Sequence, residues 1–210
     1  MNTENIFFKK LLQSSENMQA SGEINSSGKV FVICGPTAVG KGTVLKEIFQ
    51  QLENAWYSIS ATTRAARPGE INGKDYYFLT DDEFNALVSA GKMLETATVH
   101  KLKQYGTPAV PVYEAIKAGK TVILEVDLAG ARQIRKSLPT APQIFLAPPS
   151  WEELKSRLIS RGTESPQEQE RRLETAKTEL AAQEEFDYIV VNDTVANATA
   201  KILQIIAETK

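Results

Sequence analysis

The fold is decided by residues 30–43, which read VFVICGPTAVGKGT. The apolar run Val30–Cys34 is typical of a buried strand, and apolar side chains at helical spacing predict a helix over Gly42–Leu52. A glycine-rich turn between a strand and a helix directs backbone N–H groups inward around an anion, and the helix N-terminus adds partial positive charge. Lys41 supplies a full charge for the β- and γ-phosphates of a nucleotide. The predicted nucleotide site comprises Gly35, Pro36, Thr37, Ala38, Val39, Gly40, Lys41, Gly42 and Thr43.

The turn departs from the strict phosphate-loop pattern at one position. That pattern has Ser or Thr directly after the lysine, where its hydroxyl binds Mg²⁺, but here Gly42 follows Lys41 and Thr43 comes one residue later. We therefore expect Mg²⁺ to be held mostly through water, or by Thr43.

Composition limits the possible functions. The 210 residues include 24 Lys and Arg against 26 Asp and Glu, for a formal net charge of -2, which argues against a general nucleic-acid binder. Hydrophobic residues make up 42% of the chain, enough for a packed core, and no apolar run approaches the ~20 residues of a membrane span. One cysteine, Cys34, and one histidine, His100, exclude an internal disulfide and a multi-histidine metal site. No export signal is recognisable, so we expect a cytoplasmic protein.

Strand and helix patterns alternate from residue 29 onward and predict an α/β domain over residues 29–210 with a parallel central sheet. Tyr188–Val191 is expected to be its last buried strand. Short, half-polar strands over 61–108, with a loop at 61–75, predict an inserted arm, and a charged excursion over 158–170 predicts a small lid. Residues 1–28 are expected to be a flexible extension, for which an undocked tail and a docking helix both stay open.

A second motif suits a phosphate monoester. Residues 60–70 read SATTRAARPGE, with Arg64 and Arg67 in a loop and Tyr76 soon after. Two guanidinium groups and a phenol can bind one phosphate group. Taken alone, the motif fits a solvated charged loop equally well.

In order and spacing, the chain from about Lys29 to its C-terminus resembles the guanylate kinase family of nucleoside-monophosphate kinases. The resemblance rests on the two motifs above and on NGKDY (72–76), Glu95, YGT (105–107), ILEVDLAGA (123–131), APPS (147–150), RGTE (161–164) and VVND (190–193). It implies a P-loop kinase fold with a parallel-sheet core, a GMP-binding arm and a lid. It also implies the transfer of phosphate from ATP to GMP, and to dGMP as well, with Mg²⁺.

The resemblance assigns residues to each substrate. It implies that GMP is bound by Ser60, Arg64, Arg67, Tyr76, Glu95, Tyr105, Thr107, Glu125 and Asp127. On the ATP side it implies the loop 35–43, Asn192 near adenine, and Lys41, Arg64, Arg157, Arg161, Arg172 and Asp127 around the transferred group. Asp127, with Thr43, is expected near Mg²⁺, although a helix N-cap is an alternative role for this carboxylate. The implied partners are small molecules, without nucleic acid or membrane, and the chain is expected to be a monomer or a homodimer.

The chemistry of guanine supports Glu95 independently. Guanine presents N1–H and N2–H₂ as donors, and a carboxylate can accept both, whereas adenine offers an acceptor at the same place. The family usually has Gln where Ala129 stands, and the stretch 100–104, HKLKQ, is also atypical, so contacts beside Tyr105 are expected to differ.

Two other classes of protein share parts of this pattern. Guanylate-kinase-like modules in scaffold proteins bind partners without catalysis, but they are expected to lose residues such as Lys41, Arg64 and Glu95, which are present here. Enzymes that prenylate tRNA can begin their phosphate loop with GPTA, but they lack the Thr-Thr-Arg-x-x-Arg block.

Overall fold

A computed structural model describes residues 3–14, 28–99, 103–160 and 165–209 of the chain. Its helices are α1 (Thr3–Gln13), α2 (Lys41–Gln51), α3 (Asp81–Ser89), α4 (Ala109–Lys117), α5 (Leu128–Ser137), α6 (Trp151–Ser160), α7 (Pro166–Ala181) and α8 (Val195–Glu208), with a 3₁₀ turn at Gln183–Glu185. Its strands are β1 (Lys29–Cys34), β2 (Ala55–Tyr57), β3 (Ala61–Thr62), β4 (Tyr77–Phe78), β5 (Met93–Val99), β6 (Lys103–Pro108), β7 (Thr121–Glu125), β8 (Gln143–Ala147) and β9 (Tyr188–Val191).

A five-stranded sheet has the order β2-β7-β1-β8-β9, and β8 runs parallel to both β1 and β9. Strands that alternate with helices form such sheets because each crossover helix covers a face. The predicted α/β class with a parallel central sheet is therefore confirmed. The prediction that β9 is buried was wrong, since among its residues only Val190 is buried, and the reason is that β9 lies at the edge of the sheet.

The described residues divide into two compact units. The first comprises the described parts of Met1–Lys29, Trp56–Val122 and Ala129–Ala141, and the second comprises Val30–Ala55, Ile123–Leu128 and the described parts of Pro142–Lys210. The core of the second unit is a hydrophobic cluster with residues from β1, α2, β8 and α8, among them Phe31, Ile48, Ile144 and Ile202. Cys34 is buried in this unit, and burial raises the pKa of its thiol to about 12, so it is a neutral core residue.

The first unit contains a second, four-stranded sheet of order β4-β3-β6-β5. Strand β3 pairs parallel with β4 and antiparallel with β6, which also pairs antiparallel with β5. Helix α3 begins with a capping box, in which the Thr80 hydroxyl accepts from the Glu83 N–H while the Glu83 carboxylate accepts from the Thr80 N–H. The segment 61–75 was predicted as a loop, but it contains the two-residue strand β3. The bounds of the arm and the lid stay predictions.

Helix α1 packs within the first unit. Leu11 is 1% exposed and belongs to a cluster with Ala61, Phe84 and Leu87, and the ring of Phe7 stacks on Tyr77 with centroids 3.7 Å apart. For residues 3–14 the structure thus has a docked helix, one of the two alternatives that the sequence left open. Residues 15–27 lie outside the described residues, so the predicted flexible linker and the boundary at residue 28 stay predictions.

No helix among the described residues is both long and apolar enough to cross a bilayer.

Candidate active site

The turn from β1 to α2 has the backbone of an anion-binding loop. Gly40 adopts φ 99° at the N-cap of α2, where an L side chain would be strained. A Cβ atom on Gly40 would also lie 2.6 Å from Nδ2 of Asn192, so glycine is required twice over at this position. A Cβ on Gly42, the position that departs from the strict pattern, would meet no atom within 4 Å. Steric crowding therefore does not explain the glycine at this position.

The Lys41 ammonium group lies over the loop itself. Its Nζ donates to the carbonyl oxygens of Gly35 and Pro36. The ammonium group could also donate to a phosphate bound in this loop, because its N–H donors rotate freely at the end of a flexible side chain.

Three further predicted residues of the second unit contact the same loop. Arg157 Nη1 donates to the Val39 carbonyl at 3.3 Å, and Arg172 Nη1 lies 3.4 Å from the Thr37 hydroxyl. The buried Asn192 donates to the Val39 carbonyl at 2.8 Å. These contacts bring two cations and an amide from α6, α7 and the end of β9 to one loop. Arg161 lies outside the described residues.

A buried carboxylate, Glu179 on α7, is not among the residues predicted from the sequence. It is 8% exposed, and one of its oxygens, Oε2, has no hydrogen-bond partner among the described residues. Burial raises the pKa of Glu179, against the opposing charge of Lys41, while Asp127 raises it further. Glu179 and Asp127 therefore lie within electrostatic range of each other and of the phosphate loop. Glu125, the last residue of β7, is half-buried, and Asp127, two residues later, is exposed.

In the first unit, Arg64 is the centre of a polar and aromatic cluster. Its guanidinium binds both carboxylate oxygens of Glu70, at 2.8 and 2.9 Å, and its Nε donates to the Tyr105 hydroxyl at 3.2 Å. The guanidinium carbon lies 5.3 Å from the centre of the Tyr76 ring, and that ring meets Tyr105 edge-on. Arg67 is exposed, and its backbone N–H donates to Glu70 at 2.7 Å.

The Arg64–Glu70 ion pair changes the pKa of both side chains. The hydrogen bond from Arg64, with a further one from the Arg67 N–H, lowers the pKa of Glu70 from 4.5 to about 2. The same hydrogen bond to Glu70 raises the pKa of Arg64. Both groups are therefore charged at neutral pH, and the guanidinium fork is held in one orientation by a carboxylate of this chain.

A second polar pair is almost completely buried. The Thr107 hydroxyl donates to Glu95 Oε1 at 2.8 Å, and the two residues are 2% and 8% exposed. They lie opposite each other on β6 and β5, as Tyr105 and Ala97 also do two residues along. Because side chains alternate along a strand, Glu95, Thr107 and Tyr105 lie on one face of this sheet. Ser60 precedes β3, and its carbonyl accepts from the Tyr77 N–H at 2.9 Å.

The predicted residues thus form groups within each unit. The second unit holds the loop 35–43 with Arg157, Arg172 and Asn192, and the first holds Arg64 with Tyr76 and Tyr105, and Glu95 with Thr107. Glu70 and Glu179 are additional carboxylates beside these groups. Glu179 had a signal in the sequence, because Arg172, Ala176 and Glu179 lie at i, i+4 and i+7 on α7 and share a face.

Comparison with known proteins gives one family. The family model described as guanylate kinase matches residues 27–209. The chain is 52% identical to "Guanylate kinase" of Nocardia farcinica over 188 residues, 89% of this chain and 97% of that protein. It is 53% identical to "Guanylate kinase" of Cutibacterium acnes over 178 residues, 85% of this chain and 89% of that protein.

A solved structure agrees. The crystal structure of guanylate kinase from Anaplasma phagocytophilum is similar with a TM-score of 0.68 and 33% identity, covering 87% of this chain and 86% of that one. The resemblance recognised in the sequence motifs is therefore confirmed, together with the P-loop kinase fold. The chain belongs to the guanylate kinase family.

Proposed function

We propose that this protein transfers the γ-phosphate of ATP to GMP and releases ADP and GDP, and that it also accepts dGMP. The observation that carries the assignment is the buried Glu95–Thr107 pair on the sheet that also presents Tyr105 beside Arg64. A buried carboxylate next to an arginine and tyrosine cluster suits a guanine base joined to a phosphate. Retention of Lys41 and Arg64 argues for a catalyst and against a non-catalytic binding module.

Arg64, Arg67 and Tyr76 bind the GMP phosphate in this proposal. The phosphate takes the position on the Arg64 guanidinium that the Glu70 carboxylate now occupies, since both anions offer two oxygens to the same fork. The ring of Tyr76 lies under that guanidinium and holds its plane.

Glu95 reads the base by accepting from guanine N1–H and N2–H₂. Its Oε1 already accepts the single proton of the Thr107 hydroxyl, which orients the carboxylate. Ser60 is then the hydroxyl that donates to guanine O6, and Tyr105 lies beside the base. Glu125 and Asp127 complete the residues assigned to the acceptor.

The loop 35–43 holds the phosphates of ATP, with Asn192 toward adenine. Lys41, Arg157, Arg172 and Arg161 offset the charge on the group in transfer, and the contacts of Arg157 and Arg172 with the loop support this role. A general base is unnecessary, because the attacking oxygen of GMP is already anionic.

Mg²⁺ fits this donor set as an ion held mainly by phosphate and water. Among the described residues no group of three or more His, Cys, Asp or Glu side chains is arranged to hold a metal, and Mg²⁺ is commonly bound through one or two carboxylates, water and substrate phosphates. Asp127 and the Thr43 hydroxyl are the residues we assign to its water shell. The ion neutralises charge on the β- and γ-phosphates when bound.

The test is an ADP-release assay with ATP and each of GMP, dGMP, AMP, UMP and inosine monophosphate, for the parent protein and Glu95→Gln. We expect turnover with the guanine nucleotides and little with the others. The substitution leaves a donor facing a donor, so kcat/KM for GMP should fall. The fall should correspond to a loss of about 2–4 kcal/mol of transition-state stabilisation, while the KM for ATP stays unchanged. Because inosine monophosphate lacks the N2 amine, the variant should discriminate less between the two.

Equal turnover with AMP and GMP would refute the proposed acceptor, and an unchanged preference for GMP over inosine monophosphate in the variant would refute the role of Glu95.

We propose a cytoplasmic location, where ATP and GMP are both found, and a monomer or homodimer, which gel filtration distinguishes.

A further inference from the structure

Strand β5, which carries Glu95, is an edge strand. It pairs with β6 on one side and ends the four-stranded sheet on the other. An edge strand has a row of N–H and C=O groups without a strand partner. The ladder to β6 is also irregular between Met93 and Glu95, where the register shifts. The backbone around Glu95 is therefore held less by strand pairing than the interior of the sheet is.

Helix α5 supplies the missing partners through one side chain. The Thr96 N–H donates to Oε1 of Gln133 at 3.0 Å, and Nε2 of Gln133 donates to the Thr96 carbonyl at 2.8 Å. A primary amide has the same donor and acceptor as a peptide group, so Gln133 replaces one residue of a neighbouring strand.

A second side chain of α5 binds on the other side of Glu95. The Ser137 hydroxyl lies 3.1 Å from the Leu94 carbonyl, closer than the 3.4 Å to two carbonyls of its own helix. Gln133 and Ser137 are four residues apart and face the same way from α5. The peptide groups before and after Glu95 are thus bound to one helix, at the place where the ladder is irregular.

We propose that Gln133 and Ser137 are positioning residues that fix the Glu95 carboxylate for guanine. The inference rests on the proposed role of Glu95 as the residue that reads the base. Glu95 needs a fixed backbone, because its carboxylate is buried and must meet two donors of the base at once. Neither Gln133 nor Ser137 is assigned a contact with the substrate, so their effect acts through Glu95.

The experiment compares Gln133→Ala with Gln204→Ala, a matched loss of a glutamine from the exposed face of helix α8. For each variant, kcat/KM is measured with GMP and with inosine monophosphate, together with the KM for ATP and the amide exchange rate of Thr96. Glu95→Gln is measured alongside. Ser137→Ala is a second variant, which keeps the test available if Gln133→Ala does not fold.

For Gln133→Ala we expect kcat/KM for GMP to fall about tenfold, mainly through KM, and the preference for GMP over inosine monophosphate to fall with it. The Thr96 amide should exchange faster, and the KM for ATP should not change. Ser137→Ala should shift the preference in the same direction by less, and Gln204→Ala should match the parent.

The positioning role would be overturned if kcat/KM of Gln133→Ala fell equally for GMP and inosine monophosphate, or did not fall, while Glu95→Gln still lowered the preference for GMP. That outcome would leave the proposed function intact. An unchanged preference in Glu95→Gln itself would instead remove the guanine-reading role, and the positioning role would fall with it.

Discussion

The docking of α1 can be tested with two adjacent leucines. Leu11 is 1% exposed, whereas Leu12 is 39% exposed on the same helix. Leu11→Ala and Leu12→Ala remove the same atoms and change helix propensity equally, so they differ only in burial. This segment lies outside residues 27–209, which match the family, so the family gives no expectation for it.

The structure sets the size of the effect. Truncation of a buried leucine to alanine lowers the free energy of unfolding by about 2–5 kcal/mol, and the larger losses occur where a closed cavity is left. Leu11 already borders a cavity of about 350 Å³ that charged side chains also line, among them Lys10 and Glu114. The truncation therefore widens an existing space, and we expect a loss of roughly 2–3 kcal/mol for Leu11→Ala. Leu12→Ala should cost under about 0.5 kcal/mol.

The assay is urea unfolding followed by circular dichroism, together with amide exchange across α1. In a chain of this size the loss for Leu11→Ala corresponds to a decrease in Tm of about 4–12 °C. An 11-residue helix is marginal alone, so if α1 undocks before the rest unfolds, the exchange rates of α1 rise while Tm is preserved. Identical behaviour of the two variants by both measurements would show that Leu11 is not buried and would refute the docking of α1.

Three more predictions concern charge and backbone conformation. Lys41→Met should lower kcat by roughly 10²–10⁴ with little change in Tm, and a folded variant with parental kcat would exclude the proposed role of this amine. Gly40→Ala should destabilise by about 1–3 kcal/mol, because of its positive φ and its clash, whereas Gly42→Ala should be neutral or stabilising by up to about 1 kcal/mol; equal unfolding midpoints in urea would contradict this contrast. Arg64 holds the pKa of Glu70 near 2, so Glu70 contributes stability above its usual pKa of 4.5 and loses it as the pH falls toward 2. The urea midpoint of Glu70→Gln should therefore change less between pH 7 and pH 3 than that of the parent, and parallel changes would be the contrary result.

The central part of the fold could be predicted because local and distant signals agree there. The loop 35–43 lies between an apolar strand and an amphipathic helix, and the capping box at Thr80 and Glu83 is satisfied by residues three apart. Such features depend on neighbours in the sequence, which a single chain displays directly.

The errors lie where distant partners decide the outcome. Strand β9 is as apolar as a central strand, but its exposure depends on its place in the strand order, which its own residues do not encode. The strand β3 has only two residues and exists through its pairing with β4 and β6.

The candidate site divides in the same way. Residues within motifs, such as Arg64 and Lys41, could be found from spacing and from the family resemblance. Glu179 lies outside these motifs in a polar helix, and its one signal is the helix face that it shares with Arg172 and Ala176, whereas its burial beside the loop is visible only in the structure. The bond between Gln133 and Thr96 joins residues that are 37 positions apart, and no local pattern predicts it.

The Arg64–Glu70 pair has a consequence for the selection of anions in a cell that contains abundant inorganic phosphate. With the phosphate role proposed for Arg64, an arriving anion must displace a carboxylate that already makes two charge-assisted hydrogen bonds, so it gains only the difference between the two anions. Inorganic phosphate makes only the phosphate contacts, whereas a nucleotide adds the contacts of its base. Glu70 thereby acts as an internal competitor that free phosphate displaces poorly. Glu70→Gln should make inorganic phosphate a stronger inhibitor, and unchanged inhibition would show that the displaced carboxylate is not the barrier.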